Sequence, residues 1–170
     1  MAQQLVYKVD DSVFYPSAGV GVVEAIEDVY IGGRLDQCYV IRIEVNQITV
    51  KVPVDNMEAT GIRPLLETGK VKELYQILEG KSSRRVTGGN WTERCKDLDR
   101  RINRGTCLQL AEVVRDLLRW KEESGLSFEE AMLLETACGY LARELATVRG
   151  ISPDIAADDI RDHVGIVAAA

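Results

Sequence analysis

The sequence predicts a β + α protein in separate domains, a small β-barrel followed by an all-α helical domain, on three observations. Apolar residues alternate at a period of two through the first 65 residues, and after Pro64 the period becomes that of helices. Between the first helical stripe and the rest lies Lys81–Gly89, a basic stretch of glycines and serines. The chain of 170 residues, 46% hydrophobic, is long enough to bury one ordinary core or two small ones.

In residues 1–65, Tyr39, Ile41, Ile43 and Val45 alternate with Val40, Arg42 and Glu44, while Ile48, Val50 and Val52 alternate with Gln47, Thr49 and Lys51. Each such run buries one face of a strand. Turn signals separate the runs at Pro16–Gly19, Gly32-Gly33 and Asn46-Gln47, and Pro53 closes the last strand because proline cannot donate to a central ladder. Four or five short strands in this span predict a curled barrel.

Residues 66–89 read as a helix and a basic linker. Val71, Leu74, Tyr75 and Leu78 form one stripe that stops at Gly80. Lys81–Gly89 then offers little that could be buried, which lets the two halves reorient. A helical domain follows over 90–150. Asn90 is placed to cap its first helix, with Glu93 in capping-box spacing and Trp91, Cys95, Leu98 and Ile102 on one stripe up to Gly105. Leu110, Val113, Val114, Leu117 and Leu118 share the face of a second helix. Ser127 with Glu130 opens a third, striped by Leu134, Ala137, Cys138, Leu141, Leu145 and Val148. Residues 151–170 read as an acidic C-terminal extension with Ser152-Pro153 starting a short helix.

Composition narrows the function. No basic-then-apolar opening segment and no unbroken apolar run of about 18 residues is present, so a cytoplasmic protein with no membrane contact is expected. The four cysteines, Cys38, Cys95, Cys107 and Cys138, form no CxxC pair and are expected to be reduced thiols, most of them buried. His163 is the single histidine, so histidine-based catalysis and multi-histidine metal sites have nothing to build on, and a surface role is expected for it. Gly19 and Gly21 lack the third glycine and the following helix of a dinucleotide loop and read as a turn. No enzymatic reaction, small-molecule substrate, cofactor or metal is expected.

The net charge of −6 argues against a nucleic-acid partner until its distribution is examined. Residues 81–104 carry eight bases (Lys81, Arg84, Arg85, Arg94, Lys96, Arg100, Arg101, Arg104) against Glu93, Asp97 and Asp99, a local balance of +5 that leaves −11 elsewhere. A basic segment on an acidic body suits a directed contact, although a solvated helix face carries the same pattern. Trp91 likewise reads two ways. Its spacing completes the core stripe, and its place in the first turn after the basic stretch lets the indole project. Trp120, at the end of a helix, is expected to pack.

Several segments, in order and spacing, resemble the CarD/CdnL bacterial transcription factors: Val13-Phe14-Tyr15-Pro16, Gly19-Val20-Gly21, Val23-Glu24-Ala25-Ile26-Glu27, Thr49-Val50-Lys51-Val52-Pro53, Asn90-Trp91 and Ala111-Glu112-Val113-Val114-Arg115-Asp116-Leu117. The resemblance covers residues 5–148, and the first 65 alone also resemble the polymerase-binding module of transcription-repair coupling factors. It implies a Tudor/SH3-like barrel that docks on the RNA polymerase β subunit, partly by joining strand edges, through Thr49 and Lys51. It also implies a basic contact near residue 29, where this chain has Val29 beside Asp28. Either Arg34 substitutes or the contact is apolar.

For the helical domain the resemblance implies that Trp91 wedges into promoter DNA at the upstream edge of the transcription bubble. Arg84, Arg85, Arg94, Lys96 and Arg101 would then meet phosphates, and the open complex is favoured. Glu93 stands where relatives carry a basic residue. The rival reading is a protein-interaction adaptor without direct DNA contact. Sequence-specific repression is disfavoured, because no helix shows an Asn, Gln and Arg cluster for base readout.

Overall fold

The computed structural model describes residues 5–84 and 90–166. Contacts divide the chain into two units, Met1–Leu65 and Leu66–Ala170, each with its own core. The β unit is a five-stranded antiparallel sheet of β1 (Ser12–Tyr15), β2 (Gly19–Ile31), β3 (Arg34–Ile43), β4 (Thr49–Pro53) and β5 (Arg63–Pro64), in the order β4-β3-β2-β1-β5. A single helical turn, α1 (Met57–Thr60), links β4 to β5.

Val13, Val23, Tyr39, Ile41, Ile43 and Val52 fill the core face, with Val54 and Met57 closing it from the β4–α1 connection. The β2–β3 hairpin turns at Gly32-Gly33, whose φ of 58° and 79° are the left-handed values a two-residue hairpin turn requires. At Gly21 the need is space, because a Cβ there would sit 2.8 Å from Ile41 Cγ2 and 3.1 Å from the Arg42 carbonyl oxygen. A register shift between Val23 and Ala25 leaves Glu24 as an extra residue and bends the long hairpin. The Tyr39 hydroxyl accepts from the backbone N–H groups of Val6 (2.9 Å) and Tyr7 (3.1 Å), which pins the N-terminal segment over the core.

The alternation expected to run through Val45 and Ile48 ends earlier. The chain turns after Ile43, Gln47 takes a φ of 59°, and Val45 and Ile48 are exposed.

The helical unit contains α2 (Val71–Glu79), α3 (Trp91–Arg104), α4 (Cys107–Ser124), α5 (Phe128–Arg149) and α6 (Pro153–Val164). One buried cluster joins all of them: Leu74 and Leu78, Leu98 and Ile102, Leu110 to Leu118, Leu134 to Leu145, then Ala156, Ile160 and Val164. Thr106 with Gln109 and Ser127 with Glu130 form reciprocal capping boxes, and Ser152 caps α6 with Pro153 in its first turn. Asn90 caps α3 through Thr92 N–H at 3.0 Å, so the expected box with Glu93 does not form.

Further sequence expectations change. Helix α2 packs on α4 and α6, so it is part of the helical unit and not of a connector. The stretch read as a linker is described only to Arg84, and there α4 holds it. Ser83 N–H donates to Asp116 Oδ1 at 3.0 Å, and Trp120 Nε1–H donates to Ser83 O at 3.1 Å. Trp120 is thus a hydrogen-bond donor as well as a packing residue.

The terminal segment, read as an acidic extension that starts a short helix, forms that helix and packs it, since α6 buries a stripe against α5, α2 and α4. His163, expected on the surface, is half-buried in that contact. Its ring stacks on Tyr75 with centroids 4.0 Å apart, and its Nδ1 lies 2.7 Å from Glu79 Oε1. Arg149 adds an ion pair to Asp159 and a hydrogen bond to the Tyr75 hydroxyl, closing the junction of α2, α5 and α6. Burial pushes the Tyr75 phenol up, opposed by that guanidinium.

Candidate partner and nucleic-acid interfaces

In the β unit the expected contacts fall into two groups. Thr49 and Lys51 lie exposed on β4, which among the described residues has a neighbour strand on one side only. Lys51 Nζ reaches across β3 to Glu27 Oε2 at 3.1 Å, with both side chains about half exposed. This cation is therefore already engaged, in a pair that water screens and a partner's carboxylate could replace.

Val29 and Arg34 form the second group, further along the β2–β3 hairpin. Val29 is half-buried opposite Asp36, and Asp36 in turn accepts from Arg34 Nε at 3.0 Å. Arg34, 72% exposed, also pairs with Asp55 at 3.7 Å. Neighbouring Tyr30, Ile31 and Leu35 are exposed apolar side chains that sequence reasoning did not single out. The available signal was three consecutive apolar residues, Val29-Tyr30-Ile31, breaking the alternation just before the glycine turn.

The helical unit brings some of its expected contacts together and separates others. Trp91 opens α3 and remains 38% exposed, so the indole caps the α3 stripe at an open end while Leu98 and Ile102 are buried beyond it. It borders a groove of about 460 Å³ between α3 and α5, shared with Cys95, Lys96, Met132 and Leu133 and edged by Asp99 and Glu129. Lys96 is exposed beside the indole, and Arg94, one turn from Trp91, is half-buried. Arg84 is exposed, while Arg85 lies outside the described residues. Arg101 points elsewhere, its guanidinium 3.7 Å from Glu112 of α4.

Phe128, 76% exposed, and Met132, 50% exposed, extend the apolar surface along one face of α5. Neither belongs to the periodic stripe of α5, and their one signal in the sequence is being apolar off that stripe. Among the described residues no group of three or more potential metal ligands occurs, and the cysteines are free thiols. Among them, too, no helix is long and apolar enough to cross a membrane.

A β unit whose β4 edge is open, joined to a helical unit with an exposed indole and an adjacent lysine, defines a two-unit class of protein. Comparison with known proteins places it further. Residues 7–66 match the CarD-like/TRCF RID domain, and residues 73–161 match the CarD C-terminal domain. The chain is also 33% identical over 146 residues, 86% of its length and 94% of the relative's, to the Bacillus subtilis (strain 168) protein named "Putative transcription factor YdeB". It belongs to the CarD/CdnL family of transcription factors, with a Tudor-like barrel and a helical domain, and its role is transcription regulation. Transcription factors are not an enzyme class.

Proposed function

We propose that the β unit docks on the RNA polymerase β subunit while the helical unit, through Trp91, props promoter DNA open at the upstream edge of the bubble. The observation that carries this reading is the exposed indole at the start of α3, beside Lys96 and continuous with apolar Met132. A flat apolar side chain can occupy the gap between partly unstacked bases, and unstacking costs a few kcal/mol per step, so the wedge favours DNA already distorted. Lys96 and Arg84 then supply phosphate contacts that fix its position.

Selective binding of the open state is sufficient for regulation, since about 1.4 kcal/mol of preference shifts the open-to-closed ratio tenfold. Docking supplies proximity. With a net charge of −6 the chain is a poor ligand for DNA by itself, and attachment to polymerase raises its effective concentration at the promoter. On the β unit, the open edge of β4 offers backbone groups to a partner strand, with Lys51 and Thr49 beside them.

One observation favours a second reading. Glu129 and Asp99 edge the Trp91 groove, and carboxylates there would suit a cationic protein segment better than phosphate. A salt titration separates the two. Promoter opening measured with purified polymerase over increasing salt should show a gain from this protein that falls linearly on logarithmic axes, as counterion release requires. A gain indifferent to salt, or none, would replace the DNA contact with a protein one.

A further inference from the structure

Three carboxylates are buried among the described residues of the helical unit, where charge is costly unless it is paired and hydrogen-bonded; Glu130 closes its own capping box, and Glu144 and Asp116 bind backbone further away. Glu144 of α5 is fully buried, and its Oε2 accepts from the backbone N–H of Leu66 at 2.9 Å. Asp116 of α4 is 1% exposed, and its Oδ1 accepts from the backbone N–H of Ser83 at 3.0 Å and from Arg115 Nε at 2.9 Å. Leu66 is the first residue of the helical unit, and Ser83 is followed by the exposed Arg84. Glu144 and Asp116 thus grip the two ends of one segment, the segment that carries α2.

Between those ends the grip continues. Helix α2 stops at an extended Gly80, whose N–H returns to Gln76 O at 3.0 Å and Ile77 O at 3.1 Å, and its last carbonyls take further donors. Guanidinium groups from α4 supply most of them. Arg115 Nη1 donates to Ile77 O at 3.1 Å, Arg119 Nη2 to Leu78 O at 3.0 Å, and Arg119 Nη1 to Gly80 O. Trp120 Nε1–H then holds the carbonyl of Ser83, the same residue whose N–H is on Asp116. Side chains of one helix face, Arg115, Asp116, Arg119 and Trp120, therefore fix the path of the chain from Ile77 to Ser83.

We infer that Glu144, Asp116 and Trp120 are positioning residues for the DNA contact. They hold the point where the β unit is attached and the point where the basic segment departs in fixed register with the bundle. This rests on the reading that Trp91 and Arg84 contact promoter DNA. Slack in residues 66–83 would let the helical unit sample many placements while the β unit is docked, and the effective concentration of the wedge would fall. With the segment fixed, Arg84 leaves the bundle in one direction and reaches phosphate from there.

The test is a coupling measurement on the full chain with purified polymerase. Trp120→Phe deletes one N–H donor from a half-buried side chain, and Asp116→Asn serves as a second variant of nearly equal volume. Open-complex lifetime is compared for Trp120→Phe, Arg84→Ala and the double variant, with melting temperature and polymerase affinity as controls. Trp120→Phe should shorten the lifetime about three- to five-fold, the net worth of one hydrogen bond. It should also lower the salt slope as Arg84→Ala does, and the double variant should be no worse than Arg84→Ala alone.

An unchanged lifetime in Trp120→Phe overturns the inference. So does a double variant in which the two losses multiply, or an Arg84→Ala without effect. If Trp91→Ala and Arg84→Ala both leave the lifetime unchanged, it is the DNA reading itself that fails.

Discussion

Ile160→Ala measures how far α6 is part of the helical core. Ile160 is 2% exposed and stands between Ala156 and Val164 in the stripe that α6 lays against α5, α2 and α4. Truncation removes most of an isoleucine side chain and leaves a cavity walled by helices that cannot all close in, which costs about 3 kcal/mol. The helical unit runs from Leu66 to Ala170. In a domain of that size each 1 kcal/mol lowers the midpoint by about 4–8 °C, so a fall of roughly 12–24 °C is expected. Far-ultraviolet circular dichroism of the full chain on heating reads the helical transition directly. A fall below about 3 °C would show that α6 lies outside the cooperative core and would return the segment to an accessory role.

Two further substitutions or titrations probe other parts of the fold. Gly21→Ala drives a methyl group toward Ile41 and the Arg42 carbonyl, so the β unit should lose about 1–3 kcal/mol in denaturant unfolding; unchanged stability would mean that the sheet yields there at no cost. Burial pushes the Cys138 thiol up from 9.0 to about 11, against the opposing pull of Arg161 and Lys121. At pH 8 its alkylation should therefore run about a hundredfold slower in the native chain than in the unfolded one. Because the folded value is the higher, the thiol's contribution to stability is complete below pH 9 and is lost as pH rises from there through about 11. A native rate equal to the unfolded rate would contradict this burial.

Much of this architecture was legible because burial imposes periodicity. Tyr39, Ile41 and Ile43 alternate as the core face of β3, and Leu134, Ala137, Leu141 and Leu145 recur as the core face of α5. Legibility failed where one extra residue or one charge changes the rule. The bulge at Glu24 puts Val23 and Ile26, three apart, on the same core, which a period of two forbids. In α6 the acids Asp154, Asp158, Asp159 and Asp162 concealed a stripe that begins with a small residue, Ala156.

At the candidate site, Trp91 could be singled out by its place after a basic stretch, but Phe128 and Met132 belong to no stripe and reveal themselves only by exposure. Asp116 and Glu144 were least readable of all. A charged residue in a sequence is read as surface, and only coordinates show which backbone groups justify burying one.

The proposed function divides the labour, with attachment on one unit and strand separation on the other. It is met most directly by measuring, in one preparation, polymerase affinity and open-complex lifetime for Trp91→Ala and Lys51→Glu. Trp91→Ala should keep the wild-type affinity and shorten the lifetime about tenfold, the effect of 1.4 kcal/mol, while Lys51→Glu should weaken both. A folded Trp91→Ala variant with the wild-type lifetime would contradict the account.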